Sequence, residues 1–234
     1  MKRLLACFTK SELILWTSSL AFILISYLVF DRSNHLALAA SLIGATSLIF
    51  CAKGNPLGQL LIIIFGFLYA IISYSYCYFG EMITYLGMTV PMAIISLISW
   101  LKNPYNGNKA EVKVNAIRKR EFIHLCILTV IITVVLYFIL ESLGTSNIVM
   151  STVSVSTSFF AAYLTFRRSP YYAIAYALND IVLIVLWILA SVHNTSYLSV
   201  IVCFIMFLIN DLYGFINWRR MQKRQAFENK KQLC

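Results

Sequence analysis

Eight apolar runs, most of them near twenty residues long and separated by short polar gaps, dominate this chain and leave it few ways to fold. A helix that crosses the hydrocarbon of a bilayer needs about 20 consecutive apolar residues, and the runs match that length. They read as Glu12–Phe30, Leu36–Ala52, Leu57–Phe79, Met82–Leu101, Glu121–Leu140, Asn147–Phe166, Tyr171–Val192 and Tyr197–Trp218. With 60% of residues hydrophobic and 12% charged, the chain cannot build a hydrated exterior, which in soluble domains takes about 25% charged residues. Helices satisfy their own backbone groups in lipid, so the expected fold is an all-α integral membrane protein of about eight transmembrane helices.

A net charge of +10 would fit a polyanion partner, but the basic residues lie in the gaps and tails. With the N-terminus inside, Lys2, Arg3, Lys10, Lys53, the central loop Lys102–Arg120, Arg167, Arg168 and the tail after Trp218 all fall on the inner face. Of the 19 Lys and Arg, only Arg32 falls outside. That asymmetry predicts a multi-pass protein of the cell membrane with both ends cytoplasmic. It also implies contact with anionic lipid rather than nucleic acid. The first run exceeds a signal-peptide core in length and is read as a retained helix.

Function must then arise within the membrane. Six cysteines, at 7, 51, 77, 126, 203 and 234, lack paired spacing and read as small buried hydrophobes. His35 and His193 fall in outer loops and His124 near the inner boundary. Glu121-x-x-His124 opens a helix beside a basic loop, so no metal or other cofactor is expected. No phosphate-cradling glycine loop is present, which excludes self-contained ATP drive.

The central loop divides the chain into two halves. A slide of 118 residues places Tyr69 on Trp187, Pro91 on Ile209 and Trp100 on Trp218. Setting the first helix (12–30) aside as an extra and the fifth (121–140) as a linker leaves triplets at 36–101 and 147–218, followed by a basic tail at 219–234. The two three-helix bundles would run parallel, and carriers built from repeats bind substrate between them.

Polar side chains at bilayer depth persist where they face a cavity or a partner. Tyr172, Tyr176, Asn179, Asp180 and Trp187 share one stripe of the seventh helix, offering aromatic faces beside an amide and a carboxyl. In the eighth helix Asn210, Tyr213 and Asn217 share a face, with Asp211, Gly214 and Trp218 one step round. Two readings stay open, interhelical hydrogen bonding and a substrate site. Asp180 and Asp211 also allow an intramembrane aspartyl enzyme as an alternative. Glu81 lies near the outer boundary, and the hydroxyls of the sixth helix are expected to bond carbonyls one turn back.

Asn210-Asp-Leu-Tyr213-Gly214-Phe-Ile-Asn217-Trp218 resembles the ending of the PnuC family, the nicotinamide riboside transporters. Asn179 through Trp187, Leu68-Tyr69, Gly80-Glu81-Met82 and Pro91-Met92 resemble it too. The resemblance implies two parallel three-helix bundles with a linker helix, a homotrimer, and facilitated uptake of a small vitamin precursor later trapped by phosphorylation. It implies substrate contact by Trp187, Asn179, Asp180, Asn210, Tyr213, Asn217, Tyr172, Tyr176, Tyr69 and Thr84. Many members carry two Trp before the seventh-helix Asn, where this chain has Tyr171-Tyr172-Ala-Ile-Ala-Tyr176. After Gly-Glu-Met, where members often have Asn, this chain has Thr84-Tyr85. Thiamine, riboflavin and deoxynucleosides, carried by relatives of the family, therefore stand as alternative cargoes.

Overall fold

A computed structural model describes residues 8–75, 79–145, 147–192 and 195–233. Lys2, Arg3, Cys7, Cys77, His193 and Cys234 lie outside the described residues. The chain runs through α1 (Lys10–Phe30), α2 (His35–Ala52) and α3 (Leu57–Ser75). It continues as α4 (Phe79–Thr84), a π-turn (Tyr85–Thr89) and α5 (Val90–Lys102). A short hairpin precedes α6 (Lys119–Ser142), α7 (Ile148–Phe166), α8 (Tyr172–Ser191) and α9 (Leu198–Leu233). Among the described residues eight spans are long and apolar enough to cross a membrane, with Glu81–Lys102 counted as one.

The break in the fourth span has a chemical cause. Pro91 has no N–H to bond the carbonyl four residues back, so the ladder loosens just before it. The Val90 N–H reaches back five residues to the Tyr85 carbonyl instead.

Six helices close a ring. α2 packs on α3, α3 on α5, α5 on α7, α7 on α8, α8 on α9, and α9 back on α2. α1 lies outside, in the angle between α2 and α9, and α6 lies outside against α7. Only 17% of the apolar stretch of α1 and 11% of that of α6 is buried, so most of the surface of these two helices is left uncovered by the rest of the chain. Cys126 on α6 is accordingly exposed, against the expectation of burial, whereas Cys51 and Cys203 are buried.

The start of α1, the end of α9, the turns after α2 and α7, and the hairpin share one face, called here the terminal face. There the ring is closed by reciprocal hydrogen bonds. The Trp218 indole donates to the Cys51 carbonyl (2.8 Å) and the Asn217 amide to the Ala52 carbonyl (2.8 Å). Correspondingly, the Trp100 indole donates to the Thr165 carbonyl (2.9 Å) and the Ser99 hydroxyl to the Phe166 carbonyl (2.9 Å). Each pair engages the last carbonyls of a helix in the other half, where the Cys51 and Thr165 carbonyls also accept from the Gly54 and Arg168 N–H groups (2.9 Å each). The two indoles are fully buried with centroids 5.4 Å apart.

The turns they cap are equivalent as well. Gly54 (φ 67°) and Arg168 (φ 56°) each sit in the left-handed position after a helix, followed two residues later by Pro56 and Pro170. Glycine takes that position without strain; Arg168 is held there by the bonds around it. The Gly54 carbonyl accepts from Val112 N–H (2.9 Å) and the Arg168 carbonyl from Asn115 N–H (3.0 Å). Gly54 and Arg168 are 114 residues apart. A single slide of 118 therefore matches the third helices of the two halves and misses these turns by one helical turn.

The central loop between the halves is partly ordered. β1 (Pro104–Tyr105) and β2 (Asn108–Val112) pair through Asn106-Gly107, both at positive φ, the geometry an Asn-Gly hairpin requires. The tail is ordered too, because α9 continues past the membrane to meet this hairpin. Gln225 donates to the Val112 carbonyl (3.1 Å) and accepts from Val114 N–H (2.9 Å). Tyr105 donates to Glu228 (2.6 Å), and Arg224 pairs with Glu111.

Candidate functional site: a cavity inside the helix ring

Five of the six ring helices (α2, α3, α7, α8 and α9) line one cavity of about 160 Å³, and the fourth span reaches it through α4 and the π-turn rather than through α5. A buried water takes roughly 10–15 Å³ on this measure, so the space suits about ten waters or one small organic molecule. It runs from Glu81, Thr84 and Thr145, near the face opposite the termini, to Cys51, Gln59 and Tyr172. Tyr172 packs edge-on against Trp218 (5.0 Å between centroids), so the indole clasp lies directly beneath the terminal-face end.

The α8 stripe faces this space: Tyr172, Tyr176, Asn179, Asp180 and Trp187 all line it. Asn179 is buried, and its Oδ1 is met by hydroxyls of α7, Thr157 at 2.7 Å, Ser158 at 3.0 Å and Ser154 at 3.3 Å. Those hydroxyls were expected only to bond their own helix. Thr152 does so, Ser156 does so and also meets the Thr133 hydroxyl of α6 (2.8 Å), while Ser154 and Ser158 serve Asn179. Trp187 is braced by Tyr197 at 5.1 Å. Thr84 lines the cavity from the end of α4. Tyr69 is one layer back, its ring 5.1 Å from Tyr85, which does line the space.

Three residues of α9 lie elsewhere. Asn210 donates to Ser19 on α1 (2.8 Å) and to the Met206 carbonyl (2.7 Å). Asn217 belongs to the clasp, and Tyr213 lies against Thr9 and Glu12 at the start of α1. Gly214 packs on Ala173 and Ala52, where an added Cβ would meet both at 3.6 Å. The cavity instead receives the neighbouring row of α9, Phe204, Phe207 and Asp211.

Asp180 and Asp211 are 4% and 5% exposed, lie against one another, and both line the cavity. Glu81, read as a boundary residue, lines it too. Among the described lining residues none is Lys, Arg or His. Glu121 is occupied by Arg167 (3.0 Å to Nη2), and among the described residues no cluster could hold a metal ion.

The sequence reading missed Gln59, Phe65, Tyr85, Met88, Phe204 and Phe207 in this lining. Tyr85 and Met88 had a signal in Pro91, whose missing N–H loosens the helix where they sit. The phenylalanines had none, since an apolar residue on an apolar helix looks alike toward lipid or cavity.

Comparison with known proteins fits this architecture. The family model described as "Nicotinamide mononucleotide transporter" matches residues 34–220. The chain belongs to the PnuC family. The nicotinamide riboside transporter PnuC of Neisseria mucosa is 30% identical over 202 residues, covering 85% of this chain and 77% of the relative. The protein of the same name from Haemophilus influenzae is 23% identical over 192 residues, 82% of each. A solved structure titled "Crystal structure of the Vitamin B3 transporter PnuC" superposes with a TM-score of 0.80 at 28% identity, covering 93% of this chain and 94% of the other. PnuC proteins are multi-pass membrane transporters, so this chain is one of a transporter family rather than an enzyme.

Proposed function

We propose that this chain carries nicotinamide riboside across the cell membrane, the cavity being its binding site. The observation that carries the reading is the cavity's chemistry, aromatic walls and hydrogen-bonding groups with no basic side chain among the described lining residues. A flat ring stacks on Trp187, Tyr172 or Tyr176, while Asn179 and Thr84 meet its polar substituents. A phosphate would enter a site with carboxyls and no cation to receive it, so the riboside suits the site and the mononucleotide does not. The names of the curated relatives agree with the riboside.

Movement follows from the ring's construction. The halves 36–101 and 147–218 rock about the cavity, exposing it to each face in turn. Both termini lie in the cytoplasm, where Lys and Arg gather. Nothing in the chain consumes energy, so transport is facilitated diffusion drawn inward by phosphorylation of the product. The exposed α6 face accommodates neighbouring copies in a homotrimer. Asn210, Tyr213 and Asn217 support the helices behind the site.

The test is calorimetric titration of the purified protein with nicotinamide riboside, nicotinamide mononucleotide, thiamine, riboflavin and a deoxynucleoside. Saturable binding of the riboside alone, lost in Trp187→Ala, supports the assignment. Binding of another member of the set reassigns the cargo, and tighter binding of the mononucleotide refutes the charge argument.

A further inference from the structure

The carboxyl pair in the cavity has no structural task. Among the described residues the other buried carboxyl, Glu12, is matched by Lys53 at 2.7 Å and caps its own helix with Thr9. Asp180 has no such partner. Its Oδ2 makes no hydrogen bond although the residue is only 4% exposed, and it lines open space. A carboxyl deep in a membrane is costly unless a partner answers it, and two side by side cost more. No Lys, Arg or His is among the described residues that line the cavity with the pair, and Glu81 adds a third carboxyl there. Tyr172, Tyr176 and Cys51 adjoin Asp211, while Tyr85, Tyr176 and Cys203 approach Asp180. A partner that answers the pair is positive and flat enough for an aromatic-walled space, and the described lining residues do not supply it.

We propose that Asp180 and Asp211 read the charge of the cargo, pairing with a heteroaromatic cation and setting its preference over an uncharged ring of the same shape. The role rests on the transport reading above and gives it a chemical class. Aromatic faces around the pair add to the selection, since a ring quadrupole attracts cations in a dry site. The pyridinium of nicotinamide riboside and the thiazolium of thiamine both belong to the class. Riboflavin and deoxynucleosides, neutral at physiological pH, do not.

The experiment compares each cation with its neutral counterpart, nicotinamide riboside against its 1,4-dihydro form and thiamine against its deaza analogue. Affinities are measured calorimetrically in the intact protein and in Asp211→Asn and Asp180→Asn, which preserve side-chain shape. A melting curve for each variant confirms that it is folded. In the wild type at least one cation is expected to bind about tenfold or more tighter than its neutral twin. Either substitution should reduce that ratio about tenfold. If only the thiamine pair shows this behaviour, the riboside assignment fails and the charge-reading role stands. Equal binding of cation and neutral form in the wild type, an unchanged ratio in both variants, or no binding by either cation overturns the proposal.

Discussion

The indole clasp closes the terminal-face end of the cavity, so weakening it should expose what lies behind. In Trp218→Phe the ring remains apolar but the indole N–H is gone, and the Cys51 carbonyl it met at 2.8 Å keeps only its bond from the Gly54 N–H (2.9 Å). Losing one net hydrogen bond costs about 0.5–1.5 kcal/mol. If the cost falls on the clasped arrangement alone, the clasped-to-open ratio drops by about 2- to 13-fold. Cys51 is a built-in reporter, because it lines the cavity next to the clasp and is 2% exposed. With the other cysteines replaced, alkylation of Cys51 from the terminal face should accelerate by a factor in that range. Trp100→Phe should act alike, since its bond to the Thr165 carbonyl is the reciprocal one. The double variant should fall short of the product of the two effects, because the rings touch and their contributions are not independent. An unchanged rate in folded Trp218→Phe would refute the gate. Equal acceleration in Trp187→Phe, a tryptophan away from the clasp, would show general loosening instead.

Other consequences concern separate parts of the molecule. Asn179→Ala removes the group that gathers three α7 hydroxyls and should weaken ligand binding by about tenfold or more in calorimetry. Gly58→Ala would place a Cβ 2.5 Å from Cys51 Sγ and 2.7 Å from Cys51 N, forcing α2 and α3 apart. Its cost is about 1–3 kcal/mol, visible as a lower melting temperature in detergent. The Tyr105 phenol is held above its ordinary value by its hydrogen bond to Glu228 and by partial burial. Its contribution is therefore complete below about pH 10 and lost as pH climbs through the raised value. An ultraviolet difference titration of the wild type against Tyr105→Phe should show a late phenolate that the variant lacks. Glu12→Gln removes the charge that pairs with Lys53 and should lower the melting temperature, an effect Lys53→Met should not add to.

Much of this protein was legible in its residues. Span number, helix class and the cavity-facing stripe of α8 follow from run length and helical period, because lipid demands closed backbone bonding and penalises stray polar groups. The Asn106-Gly107 hairpin was legible too, since that dipeptide suits a two-residue turn, and went unread because the central loop was used only to divide the chain. What periodicity could not settle was which of two adjacent rows on α9 faces the cavity. Asn210, Tyr213 and Asn217 form as regular a stripe as Phe204, Phe207 and Asp211, and only the packing of α1 and α2 against α9 assigns the first row to its neighbours and the second to the space. The reciprocal clasp was likewise hidden, since its acceptors are main-chain carbonyls, which every residue carries alike. Sequence determined which groups must escape lipid; tertiary packing decided whether each escaped into a neighbour or into the cavity, because in a membrane both satisfy the same physical demand.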